Sequence, residues 1–289
     1  MGSKSIKTNW LELRPYQSFK DDWYLKEILH KISDIGFFFY RKEDRTRIII
    51  RTNDSEKSLF EKIDQLEAIE IPEPEFVFRY VKKLRLKRHY AIPIVLEVQR
   101  SQLYNVLEQL HKEDCLVACY AKKDPYAAAS VWSWISNKES KYGKEKRMGP
   151  QLQNFIQTAK QKAKDTEFYQ CEIILGAQHK KNFEHLKMTI PEGISKTKTV
   201  SQTKFSIRKG CCAENNFPFT TFSPKKPIIS SKTFPILNGT ELLSIVSLPE
   251  DVSKLRMAFG SYVPYSQGPK SSIDDTDVII SNDDKFKKD

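Results

Sequence analysis

The spacing of apolar residues changes period several times along the chain, and each change predicts an element. Leu11 and Leu13 alternate with Trp10, Glu12 and Arg14, which predicts a short half-buried strand closed at Pro15. Leu25, Ile28, Leu29 and Ile32 then recur at i, i+3, i+4 and i+7, the stripe of a helix, with Asp21 or Asp22 as N-cap and Gly36 as C-cap. The stretch FFFYRKEDRTRIIIRT predicts two strands around the charged turn KEDR. NDSEKSLFEKIDQL predicts a second helix, capped by Asn53 or Asp54, with Leu59, Ile63 and Leu66 as its stripe and EIPEPE as its end. FVFRYVKKLRLKRHYAIPI follows as a long strand or hairpin. The order β, α, β-β, α, β predicts an α+β fold: a ferredoxin-like antiparallel sheet with its helices on one face.

The second part restarts the theme, so two related halves are expected. RSQLYNVLEQLHK places Leu103, Val106, Leu107 and Leu110 in helical register, and DCLVACYAKKD reads as a strand. A helical region from Tyr126 to about residue 165 is expected to break at the polar loop NKESKYGKEKRMGP and to resume with Leu152, Phe155, Ile156 and Ala159. TEFYQCEIILGAQ reads as a strong strand and KNFEHLKM as a short helix. From Thr189 the chain turns polar and rich in Ser, Thr, Lys and Pro, with TKFSI as a candidate strand. ILNGTELLSIVSLPED then predicts a short helix capped by Asn238 or Thr240 and stopped by Pro249. The expected organisation is an N-terminal α+β domain over 1–95, a second over 96–255 with an irregular segment at 190–235, and a loosely ordered tail over 256–289 with a candidate strand at DVII.

Composition narrows the function classes. Hydrophobic residues make up 39% of the 289, enough for packed cores. No apolar run is long enough to span a membrane, and the N-terminus carries no signal-peptide pattern, so a cytoplasmic location is expected, reaching the inner face of a membrane only through partners. The net charge of +11 favours polyanionic partners. The five cysteines are odd in number and lack metal-ligand spacing, so reduced structural thiols are expected.

Catalytic patterns are missing from the sequence. A Walker-type loop needs clustered glycines and then Lys followed by Ser or Thr, and the nearest stretch, YGKEK, places Glu145 where the magnesium-binding hydroxyl belongs. No serine or cysteine sits on a glycine elbow, no zinc ligand set exists, and IDDTD lacks the glycine and closing Glu of a calcium loop. The chain is therefore expected not to be an enzyme and to need no cofactor. The candidate nucleic-acid-binding residues are Arg79, Lys82, Lys83, Arg85, Lys87 and Arg88, which interleave with aromatics in FRYVKKLRLKRHY. The alternative for that stretch is a solvated strand whose lysines discourage sheet-to-sheet pairing. Trp132 and Trp134 stand two apart, so on a helix they cannot share a face and at least one is expected near the surface.

Four stretches, in order, resemble the region that precedes the motor domain in HerA/FtsK-type ATPases of conjugation and type IV secretion. They are WLELRPYQSFKDDWYLKEILHKISDIGFFFY, SQLYNVLEQLHKEDCLVACYAKKDP, MGPQLQNFIQTAKQKAKDTEFYQCEIILGA and ILNGTELLSIVSLPED, the last like that family's Leu-rich helix ending in Leu-Pro or Phe-Pro. The likeness is one of pattern and order over most of residues 9–255. It departs at IVS, where such sequences usually carry an aromatic or His before Leu-Pro. The resemblance implies a non-catalytic accessory or docking region, either part of a longer protein or a stand-alone relative, and carries over none of the ATPase residues. The partners it implies are a HerA/FtsK-type ATPase or the chain's own motor domain, with membrane-channel proteins and nucleic acid as further candidates. A stand-alone basic nucleic-acid-binding protein is the competing expectation.

Overall fold

The computed structural model describes residues 8–15, 23–42, 45–63, 66–95, 97, 103, 107, 114–143, 149–194, 205–207, 232 and 234–247. The strands are β1 (Thr8–Pro15), β2 (Asp34–Lys42), β3 (Arg45–Asn53), β4 (Leu66–Ile71), β5 (Tyr80–Leu86), β6 (Cys115–Lys123), β7 (Phe168–Ala177), β8 (Phe205–Ile207) and β9 (Ile236–Asn238). The α-helices are α1 (Trp23–Lys31), α2 (Lys57–Glu61), α3 (Ala127–Gly143), α4 (Pro150–Lys162), α5 (Lys180–Ile194) and α6 (Gly239–Val246). Leu103 and Leu107 are helical and buried between β5 and β6. The molecule is α+β.

The strands form one antiparallel sheet in the order β4-β1-β3-β2-β6-β7-β5-β8. Numbered within its own half, the first set of four lies in the order 4-1-3-2, and the second reads 2-3-1-4, the same order from the other side. Each half thus carries the strand order of a ferredoxin-like βαββαβ unit. The halves meet where β2 pairs with β6, Phe38 opposite Ala118. Short β9 lies beside β5 on the same edge of β7: β5 pairs with residues 174–177 of β7 and β9 with residues 168–170.

Alternation along the strands gives the sheet two apolar faces. Leu11, Phe37, Phe39, Ile48, Ile50, Val117, Cys119, Ile173 and Leu175 face the helices and pack with Leu25, Leu29, Phe60, Leu103, Phe183 and Leu242. Trp10, Phe38, Ile49, Leu116, Ala118, Tyr120 and Ile174 face the other way. They are covered by Phe76 and Phe78 from the extended segment 72–79, which leads from β4 at one edge to β5 near the other. That path crosses six inter-strand spacings of about 4.8 Å, and eight extended residues reach nearly as far, about 26 Å. Phe76 stacks on Phe38 at 5.2 Å and meets Trp10 edge-on at 6.4 Å.

Several expectations need correction. Gly36 is not a helix cap: α1 ends at Lys31 and Gly36 lies within β2, opposite Tyr120. A Cβ there would come within 2.9 Å of the Phe38 ring and 3.3 Å of Tyr120, so the glycine makes room for two aromatics. The second helix is short, and Leu66, assigned to its stripe, instead opens β4, which pairs with β1. The spacing of Leu59, Ile63 and Leu66 fits a helix, but the half-polar LEAIEI completes the sheet edge. The helix α3 runs on through residues 137–143, where a loop is expected, and α5 extends to Ile194, well past KNFEHLKM. The short helix α6 is buried on every side from Glu241 to Val246. The strand β5, grouped with the N-terminal domain by sequence, hydrogen-bonds to β7 and β8. Asp21, Asp22, Val106, Leu110 and DVII lie outside the described residues.

The helices α3 and α4 form a hairpin inserted between β6 and β7, where in the first half only two residues separate β2 from β3. A third apolar cluster holds it: Ala127, Val131 and Ile135 of α3 pack with Ile156 and Ala159 of α4 and with Ala91, Phe168, Phe234 and Ile236.

Candidate functional site

The six basic residues singled out from the sequence do not share one face. Lys83 and Arg85 project with Val81 to the side covered by the Phe76 segment, while Lys82 projects with Leu84 and Leu86 toward the helices. Lys83 forms an ion pair with Glu172 of β7. The Arg79 guanidinium lies 5.7 Å from the Tyr80 ring, and Arg85 lies 5.3 Å from that of Phe234. Lys87 is exposed just past the strand.

The segment after β5 lies against both helices of the inserted hairpin. Arg88 places its guanidinium 4.5 Å from the Phe155 ring of α4. The next residue, His89, stacks on Trp134 of α3 with centroids 5.3 Å apart, and its Nδ1 accepts a hydrogen bond from the Ala91 amide. Burial, and then the neighbouring ammonium groups of Lys232, Lys138 and Lys162, push the His89 pKa down to about 4. His89 is neutral at pH 7 and marks a region of positive potential.

Along α3 that region continues as a line of residues four apart. Trp134, Lys138 and Tyr142 follow one another about 6 Å apart on the same helix shoulder. The Lys138 ammonium lies 5.8 Å from the Trp134 ring and 5.5 Å from that of Tyr142, and Lys141 lies 5.4 Å from Tyr142. Trp134, Lys138 and Tyr142 are half-buried on the shoulder, and Lys141 is exposed. The acidic Glu139 is engaged by Lys160 of α4 at 2.7 Å. Trp132 points elsewhere and is 44% exposed.

Behind this surface lies a buried ionic knot. Lys162, at the end of α4, and Glu241, in the first turn of α6, are both fully buried and 2.7 Å apart. Lys162 Nζ also donates to the carbonyls of Tyr90 at 2.7 Å and Ile236 at 2.8 Å. Glu241 Oε1 accepts from the Ile94 amide and Oε2 from the Asn238 amide, while Asn238 Oδ1 accepts from the Glu241 amide, a complete capping box. Burial pushes the Glu241 pKa up, and Lys162 and the two amides oppose it. Every charged atom of the pair has a partner, which is what buried charge requires. The knot ties α4, the 90–94 segment, β9 and α6 together.

A cleft of about 900 Å³ opens between α1, the end of α4 and the start of α6, with buried Leu29, Val95, Tyr169 and Leu243 among its lining. At its side, Glu167 is held by His30 at 2.9 Å, Lys123 at 2.5 Å and the Tyr169 hydroxyl at 3.0 Å. Burial acts to raise the Glu167 pKa, but these three donors outweigh it and hold it below the usual carboxylate range. Burial and the Glu167 charge push Tyr169 up. Both groups move away from neutrality, opposite to the tuning a general acid–base pair needs. Cys115, Cys119 and Cys171 are buried and form no disulfide, and burial pushes the Cys119 thiol up to about 12, so it is not a thiolate nucleophile.

Among the described residues no group of three His, Cys, Asp or Glu side chains could hold a metal ion, and no helix is long and apolar enough to cross a membrane. The residues that sequence reasoning missed are Lys162 and Glu241, and the line on α3. An Asn followed three residues later by Glu at the start of α6 is a readable capping signal. Nothing in the sequence marks Lys162 as buried. Comparison with known proteins finds no match to this chain among family models, curated proteins or solved structures.

Proposed function

We propose that the chain is a non-catalytic docking unit of a conjugative DNA-transfer or type IV secretion motor, contacting motor subunits, a membrane channel or the cargo. The observation that carries this reading is the state of α6, the element that the resemblance places at the hand-over to the motor. It is buried from Glu241 to Ser247 and fixed by the Lys162–Glu241 knot, so the chain leaves the sheet from a rigid point. Such a junction transmits position rather than performing chemistry, in keeping with buried thiols and a Glu167 committed to three donors.

The test is co-expression with the HerA/FtsK-type ATPase of the same organism, followed by affinity capture. A docking unit brings the ATPase down with it and leaves the ATPase active. Capture of the chain alone, at the low salt that favours charged contacts, counts against the reading.

A second reading, a basic protein that binds nucleic acid, is favoured by one observation: the cations of the α3 shoulder lie directly over aromatic rings.

A further inference from the structure

We infer that the shoulder of the inserted helical hairpin, centred on Trp134, Lys138, Lys141 and Tyr142 and flanked by Lys232, is a contact surface for single-stranded polynucleotide. This rests on the nucleic-acid reading above and not on docking to a motor. It also places the contact on α3, away from most of the strand that the sequence had singled out.

Three observations converge. The first is charge. Lys138 and Lys232 both act on His89 with the same sign, and the nearby carboxylate of Glu139 is already engaged by Lys160. A polyanion approaching here meets uncompensated positive charge.

The second is the interleaving of rings and ammonium groups at four-residue spacing. In the free protein each ammonium rests on a ring, an interaction worth about 0.5–1 kcal/mol where solvent reaches it. A nucleic acid supplies a better partner to both members. Its phosphate takes the lysine, and its base takes the vacated ring face, where stacking is worth about 1–3 kcal/mol per base. The exchange needs bases with free faces, so it selects single strands over a stacked duplex.

The third is mounting. The hairpin stands where the first half of the sheet passes from Lys42 of β2 to Arg45 of β3 with only two residues between. It is held rigidly from below by the Ala127–Val131–Ile135 stripe and from the side by the Arg88–Phe155 and His89–Trp134 stacks. A rigid, projecting helix with its charged line outward is a pre-organised contact surface.

The experiment is fluorescence anisotropy with a labelled thymidine oligonucleotide about 20 nucleotides long, long enough to cover a site of 4–16 nucleotides. The reference is the duplex form of the same length, both at about 50 mM salt. Four proteins are compared: the wild type, Tyr142→Leu, Lys138→Glu/Lys141→Glu, and Arg79→Glu/Lys82→Glu. The last makes the same charge change at the far end of β5. The expected result is tighter binding to the single strand than to the duplex. The α3 pair should lose at least tenfold in affinity and lower the slope of log K against log salt by about 1.4, two contacts at about 0.7 each. The β5 pair should lose less than threefold. Tyr142→Leu, which keeps the charge, should weaken binding several-fold with an unchanged slope. No oligonucleotide binding by the wild type overturns both the nucleic-acid reading and this site. Binding that the two charge-reversed pairs weaken equally, or that favours the duplex, leaves the nucleic-acid reading standing and overturns the α3 site.

Discussion

Three buried or half-buried side chains carry most of the residue-scale argument. His89 is the clearest case for pH dependence. Its folded pKa, about 4, lies below the 6.5 of an unfolded chain, so the unfolded state binds the proton more readily. Its contribution to stability is complete above about pH 6.5 and is lost as pH falls toward 4. The full loss is on the order of 3 kcal/mol. His89→Phe keeps a ring against Trp134 and removes the titration. Urea unfolding from pH 7 to pH 4 should show the wild type losing more stability than the variant, and parallel curves would refute this. Lys162 and Glu241 are the second case. Lys162→Met leaves a buried carboxylate without its cation and two carbonyls without their donor. The expected cost is about 3–5 kcal/mol, read as a shift in the denaturation midpoint. A loss within 1 kcal/mol would mean that water reaches the site. Neither effect was visible in the sequence, because whether a lysine is solvated depends on elements that meet from positions 90, 162, 236 and 241.

At the scale of elements, legibility followed the strength of the local pattern. The stripe of α1, the apolar runs FFFY and IIIR, and the strands DCLVACYAK and EFYQCEIILGA could be read because their burial repeats with a regular period. The edge strand β4 could not, since LEAIEI mixes polar and apolar residues and Leu66 falls in step with the preceding helix. Within the segment 72–79, residues 76–79 were read as the start of a strand and the residues before them as the end of a helix. Phe76 and Phe78 do alternate with exposed Val77, but they insert into a sheet from above instead of pairing within it. Their contribution is testable. Phe76→Ala removes the ring that touches Trp10, Phe38 and Tyr40, and should cost about 3–5 kcal/mol with an unchanged denaturant slope. A loss below about 1 kcal/mol would show that the sheet holds its second face without the crossing segment. The cation-bearing line on α3 was partly legible: the sequence marked the tryptophans as surface candidates. Arg88 and Phe155 are far apart in the chain, so their stack was not legible.

At the scale of the molecule, two sets of four strands with the same order share one continuous sheet, and the seam at β2 and β6 is as fully paired as any other boundary. The sequence foresaw the α+β layer but put the break near residue 95, after a strand that belongs by hydrogen bonding with β7. The consequence for function is rigidity. Helices cover one face, the crossing segment covers much of the other, and α6 is tied in by a buried ion pair. The inserted hairpin is fastened to this frame by its own apolar cluster and by the Arg88–Phe155 and His89–Trp134 stacks. The most direct measurement is light scattering of the purified chain mixed with the purified HerA/FtsK-type ATPase of the same organism, at about 10 µM each, a concentration that populates complexes of micromolar affinity. The account predicts a species with the summed mass of the two proteins. Two separate species with unchanged masses would contradict it.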